Sequence, residues 1–214
     1  MQPDAVFGFI ILILSVILHE VAHGYMADWL GDPTARLAGR LTLNPMSHID
    51  PIGTILLPLI LIFTNSPVRI GYAKPVPYNP YNLPGKYDET LVAFAGPATN
   101  IALALVFGLA IRFAGAALSP SMDVAFAIIV YINMLLALFN LIPIPPLDGS
   151  KVLSGIFAAV SPGLERGYGV FRSNFERLGI LSGTLLILLI FYALSPLFYG
   201  VLAGLFQLLT GQAL

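Results

Sequence analysis

Four stretches of this 214-residue chain, at about 5–29, 91–112, 124–142 and 179–209, are apolar over the ~20 residues that a helix needs to cross a hydrocarbon layer of ~30 Å. Backbone polar groups in lipid must be satisfied within the segment, so such stretches are read as helices. Composition agrees: 57% of residues are hydrophobic and 10% charged, where a soluble domain carries about 25% charge. The chain is therefore read as an all-α polytopic membrane protein. Without a long hydrophilic block or an internal repeat, residues 1–214 form a single domain, with its core motifs in 15–149 and a C-terminal helical region in 150–214.

Several classes drop out early. A net charge of −1 gives no electrostatic footprint for nucleic acid, and the absence of cysteine removes disulfides and thiolate ligands. The N-terminal "MQPDAVFGFIILILSVIL" lacks a basic n-region and a small-residue cleavage site, so it is expected to be retained. Tyr25 and Trp29 suit the interfacial belt at the end of the first helix.

Between the spans the chain is punctuated. Residues 30–50 mix Gly, Pro and charge around a β-branched alternation, "RLTL", which predicts a strand or hairpin. The run at 52–63 is short and holds Pro58, which fits a re-entrant segment better than a span. Residues 64–89 are a proline-rich loop, and three prolines in "NLIPIPPLDG" stop the helix before Pro143. Residues 152–160 are apolar but too short to cross. The last run, 179–209, is either one helix kinked at Pro196 or two half-length segments.

Into the first apolar run are set His19, Glu20 and His23. Ionisable groups are expensive inside a bilayer and usually face a bundle interior or a polar cavity. His at i and i+4 share a helical face, so both imidazoles can reach one ion, and a Glu beside the first is placed to accept a proton from water: the H-E-x-x-H arrangement of zinc peptidases. A metal-free polar patch gluing helices together is the bland alternative. A catalytic zinc site wants a third protein ligand. His48 and the carboxylates are the candidates. Asp148, after the third span, reads equally well as a ligand and as a turn or N-cap residue.

Taken in order, H-E-x-x-H at the end of one helix, "AGPATN" (95–100) opening a second, with Pro97 suited to its first turn, and "NLIPIPPLDG" (140–149) closing a third resemble the site-2 protease family of intramembrane zinc metalloproteases. "GYAKPVPYNPYNL" further resembles its compact members, which lack an inserted PDZ module. The resemblance implies one zinc ion on His19, His23 and Asp148, Glu20 as general base, a core of three transmembrane helices with short re-entrant or β-hairpin elements and C-terminal helices, and hydrolysis of transmembrane protein substrates. Asn100 is then a candidate for bonding a ligand or a substrate carbonyl, or else interhelical glue. Asn140 is a candidate for steadying the Asp148 turn or the oxyanion, or else a helix cap. The "ARLAGRLTL" segment is a candidate edge for an unwound substrate.

A shared zinc has a topological consequence. The first and third spans must run the same way, so 30–90 must begin and end on one side. Nine of the ten basic residues (Arg36, Arg40, Arg69, Lys74, Lys86, Lys151, Arg166, Arg172 and Arg177) then fall on the zinc side, with Arg112 opposite. The positive-inside rule turns that side to the cytosol. The expected location is the cell membrane, with the site ~9 Å from its cytosolic face. Two other functions stay open: a divalent-cation transporter, which needs further ligands along a route, and a catalytically inactive scaffold. A membrane enzyme taking its third ligand from a later Glu would have to use Glu165 or Glu176.

Overall fold

In the computed structural model, which describes residues 3–48 and 74–214, helix is the sole regular structure among the described residues. The helices are α1 (Pro3–Trp29), the short α2 (Thr34–Leu37), α3 (Asp88–Ala114), α4 (Pro120–Asn140), α5 (Asp148–Val160), α6 (Pro162–Glu176) and α7 (Gly179–Thr210). Four of them hold stretches long and apolar enough to cross a membrane: Val6–Trp29, Asp88–Ala114, Pro120–Asn140 and Leu185–Thr210. Large apolar side chains on their outer faces, such as Phe9, Phe113, Leu185 and Tyr192, are exposed. That is the pattern of lipid-facing helices. The expected re-entrant run at 52–63 lies outside the described residues.

Local chemistry sets the helix ends. Ser119 caps α4 by accepting from the Met122 N–H at 3.3 Å, with Pro120 in the first turn, and Ser161 with Pro162 starts α6 in the same way. Gly211 closes α7 in the left-handed conformation at φ 78°. Helix α3 begins earlier than the apolar pattern alone indicates, because Asp88 and Glu89 favour its positive N-terminal end. Pro97 is consequently inside the helix and not in its first turn.

The run at 179–209 is one helix. Pro196 leaves the Tyr192 carbonyl without its helical N–H, and the Ser195 hydroxyl donates to that oxygen at 2.7 Å. The predicted "RLTL" strand is not present: residues 40–43 are irregular chain with bends at Leu41 and Thr42. Thr42 Oγ1 accepts from the Asn44 N–H at 3.2 Å, and Asn44 Oδ1 accepts from Met46 N–H at 3.1 Å to start a 3-10 turn. Such local bonds compete with a ladder. Helix α5, at 13 residues, is ~20 Å long and too short to span. It packs on α3, where Lys86 Nζ donates to the Ala158 carbonyl at 3.0 Å.

Contacts give the directions of the helices. Along α1 and α3, Ser15 and His19 meet Asn100 while His23 meets Val92, so the two are antiparallel. Helices α3 and α4 are antiparallel as well, since Asn100 meets Asn133 and Phe107 meets Phe126. Helices α1 and α4 thus run the same way. The C-terminal end of α1 and the N-terminal end of α3 lie together, which the shared-site topology requires. Away from the site, Ala104, Ile111, Val130, Met134, Leu202 and Phe206 form the core that joins α3, α4 and α7.

Asp32, fully buried after α1, ties the two described loops together. Its carboxylate accepts from Thr34 N and Oγ1 at 3.2 and 2.5 Å, from Asn79 N at 2.6 Å and from Asn82 Nδ2 at 2.8 Å. Burial pushes its pKa up, but these donors prevail and hold it below the usual carboxylate value. The ionised form is the bound one, so its stabilisation is present above the ordinary carboxylate range and fades as pH falls through the lowered value. Asp32→Ala is expected to lower stability by roughly 2–4 kcal/mol at neutral pH, read by unfolding in detergent, with a smaller difference from wild type under acid conditions.

Candidate metal centre

The last turns of α1 and the first residue of α5 meet. His19 Nε2 lies 3.1 Å and His23 Nε2 3.4 Å from the same Asp148 oxygen, Oδ2, and one ligand atom from each of the three residues falls within 4.8 Å of the others. The histidines are one helical turn apart, with rings edge to face at a centroid distance of 4.7 Å. They are 5% and 8% exposed. Asp148 is neither a turn residue nor an N-cap: Leu147 holds the cap position, and the Asp148 side chain is directed at the imidazoles. Gly149 is inside the helix, where a Cβ would stand 2.6 Å from the Ile142 carbonyl oxygen. Close approach to the preceding loop, not turn geometry, demands a glycine there.

The opposite ring nitrogens are also engaged. His23 Nδ1 is 2.6 Å from the Val92 carbonyl, and His19 Nδ1 is 2.6 Å from Asn100 Oδ1. A carbonyl oxygen can only accept, so His23 Nδ1 carries the proton and a neutral ring turns the Nε2 lone pair toward Asp148. Acceptors facing a carboxylate at these distances need a cation among them.

Zinc fits this set. Tetrahedral ligands at ~2.0–2.2 Å from the metal lie ~3.3–3.5 Å from one another, close to the spacing of both imidazoles from Asp148. Outer partners on both Nδ1 atoms are the usual supports of zinc-bound histidine. Gly96 on α3 leaves the space open, because a Cβ there would stand 2.6 Å from His19 Nε2 and closer still to His23 Nε2.

Beside the ligands is a cavity of about 230 Å³, lined among others by Glu20, Val76, Tyr78, Asn140, Asp148 and Lys151. It has room for several waters at ~30 Å³ each. Glu20 Oε2 accepts from the Val76 N–H at 2.9 Å. Tyr78 donates to Glu89 Oε1 at 3.1 Å and accepts from Lys151 Nζ, and burial followed by the Glu89 charge pushes its hydroxyl pKa up.

The other expected residues have other places. Asn100 is fully buried, with Oδ1 toward His19 and Nδ2 between the Ser15 carbonyl and Asn133, which leaves no free donor for a substrate carbonyl. Its surroundings are those of a support for His19. Asn140 lines the cavity, and its Nδ2 donates to the Leu136 carbonyl at 2.9 Å. His48 is buried, not exposed, and its Nε2 donates to the Thr42 carbonyl at 2.8 Å, apart from the cluster. Glu165 and Glu176 are on α6, also outside it.

Sequence reasoning passed over Val76 and Asn133. Val76 belongs to a motif quoted for resemblance, yet its contact depends on a chain pairing that spacing does not show. Asn133 did carry a signal: a polar residue in the middle of an apolar span.

Comparison with known proteins bears on the chemistry. Residues 108–171, from the last two turns of α3 into α6, match the family model of peptidase family M50. The chain is 42% identical over 164 residues to YwhC of Bacillus subtilis (strain 168), covering 72% of this chain and 69% of that protein. It is 28% identical over 212 residues to Rip2 of Mycobacterium tuberculosis (strain H37Rv), covering 97% and 77%. Both are named as candidate zinc metalloproteases. MJ0392 of Methanocaldococcus jannaschii, named a zinc metalloprotease, is 27% identical over 198 residues, covering 92% of this chain and 46% of that protein. No solved structure matches. A two-histidine, one-carboxylate cluster between membrane-crossing α1 and the short α5, together with these relatives, leads to one assignment: the chain is a multi-pass membrane protein belonging to peptidase family M50, the site-2 protease family of zinc metalloproteases.

Proposed function

We propose that the chain hydrolyses peptide bonds in membrane-spanning protein substrates, as in regulated intramembrane proteolysis, with one zinc ion held by His19, His23 and Asp148. The observation that carries this reading is the convergence of three ligand atoms within 4.8 Å between membrane-crossing α1 and α5, beside a carboxylate in the same cavity. When bound, zinc supplies Lewis acidity toward the attacking water and the scissile carbonyl.

Glu20 is the general base. The Val76 N–H anchors Oε2, so the carboxylate is fixed in direction while it takes a proton from water and later delivers it to the leaving amine. Asn140 is the candidate donor to the developing oxyanion: it lines the cavity, and its amide nitrogen, which gives one N–H to Leu136, carries a second. The site faces the cytosol. At its end of the bundle lie Arg36, Arg40, Lys74, Lys86, Lys151, Arg166, Arg172 and Arg177, while Arg112, at the other end of α3, donates to the Leu208 carbonyl at 2.6 Å. Among the described residues His19, His23 and Asp148 form the one candidate metal cluster, which favours hydrolysis over ion transport along a series of sites.

The test is cleavage of single-span substrates by purified protein reconstituted in lipid. Chelation should abolish cleavage and stoichiometric zinc should restore it. Cleavage that persists after zinc has been stripped would overturn the proposal.

A further inference from the structure

Asn133 lies on α4, 1% exposed, within a span otherwise apolar on both sides of it. Its amide is the middle of a hydrogen-bonded chain. Asn133 Nδ2 donates to the Ile129 carbonyl at 2.9 Å, Asn100 Nδ2 donates to Asn133 Oδ1 at 2.9 Å, and Asn100 Oδ1 faces His19 Nδ1 at 2.6 Å.

The direction of this chain is not free. The Ile129 carbonyl can only accept, so the Asn133 amide must turn its nitrogen toward it and its oxygen toward Asn100. Asn100 must then present nitrogen to Asn133, an orientation favoured also by the Ser15 carbonyl at 3.4 Å. Its oxygen is left for His19 Nδ1, which must carry the proton. Reversing the two amides would set oxygen against oxygen at Ile129, a buried acceptor pair with no donor between. Two backbone carbonyls thus decide, through two side chains, which nitrogen of His19 offers a lone pair to a metal.

We infer that Asn133 is a positioning residue of the metal centre, holding His19 through Asn100 in the tautomer whose Nε2 is free to bind zinc. The inference rests on the zinc-site proposal but makes a separate claim. Interhelical glue, the ordinary role of a membrane Asn, requires the bond to Asn100 and nothing beyond it. The third link, to a metal-facing imidazole, is what glue does not explain.

The test compares zinc dissociation constants, by chelator competition, in wild type, Asn133→Leu and Asn133→Asp. Leucine removes both bonds at similar size, and its affinity is expected to fall 10–100-fold, the usual effect of losing an outer partner of a ligand. A neutral aspartic acid keeps an oxygen for Asn100 and a hydroxyl for Ile129, and should stay within about 3-fold of wild type. Unchanged affinity in Asn133→Leu, or equal losses in both variants, would overturn the inference.

Should Asn133→Leu fail to fold, nitrogen NMR of wild type labelled at its three histidines gives the answer directly. A protonated Nδ1 on His19 is expected, and a protonated Nε2 would overturn the inference. Failure of the zinc site itself is recognised separately, as a wild type that binds no zinc. The tautomer of His19 can still be read in that protein.

Discussion

Glu20→Gln is expected to remove cleavage by ~10²–10⁴-fold, equivalent to ~3–5 kcal/mol of barrier, while zinc content stays that of wild type. The two effects separate for a geometric reason. The Glu20 oxygen that accepts from Val76 N–H has an equivalent in the glutamine carbonyl, so the side chain can keep its position above the cavity. Glutamine cannot take a proton from water. Glu20 is not among the three residues whose ligand atoms converge, so the metal set is untouched. The measurement is a single-turnover rate on a single-span substrate beside elemental analysis of the same preparation. Undiminished cleavage would exclude Glu20 as the base.

Asp148→Ala is the opposite case. Zinc affinity is expected to fall by ~10²–10³-fold, since ~10–16 kcal/mol shared among four structural ligands is ~2.5–4 kcal/mol for each. Cleavage should be lost with the metal. The carboxylate also lies within 3.4 Å of both imidazoles, so its removal takes away charge that draws a cation into a site between apolar helices. Asp148→Asn, which keeps a neutral oxygen of the same shape, should fall between alanine and wild type. Chelator competition measures all three, and wild-type affinity in Asp148→Ala would remove the residue from the ligand set.

Much of this architecture was legible in the apolar pattern, and the parts that were not have identifiable causes. The spans appear as long apolar runs because lipid allows them little else. Histidines four apart announce a shared face. The N-terminal start of α3 was missed because its first turn is polar and stabilised by Asp88 and Glu89, not by apolar periodicity. The continuity of α7 through Pro196 was undecidable from spacing, since it depends on Ser195 replacing one lost hydrogen bond. "RLTL" looked like a strand by alternation, but Thr42 and Asn44 satisfy the nearby backbone locally.

In the site, the sequence placed His19, Glu20 and His23 on one helix but left Asp148 between two readings on spacing alone; the family resemblance chose the ligand, and its side chain meets both rings. Asn100 was legible as an intramembrane polar residue able to bond a ligand, but not as the partner of His19 in particular. That role needs the antiparallel pairing of α1 with α3, a tertiary fact. Val76 was invisible for a further reason: it acts through its backbone N–H, which no side-chain motif encodes.

The central claim is that one zinc ion binds two imidazoles and one carboxylate in this membrane bundle. X-ray absorption at the zinc edge, on purified protein holding one equivalent of zinc, tests it most directly. The expected spectrum has only nitrogen and oxygen neighbours at ~2.0–2.2 Å with the multiple scattering of two imidazoles, and one of these should vanish in His23→Ala. A first shell without imidazole, or one unchanged by that substitution, would contradict it.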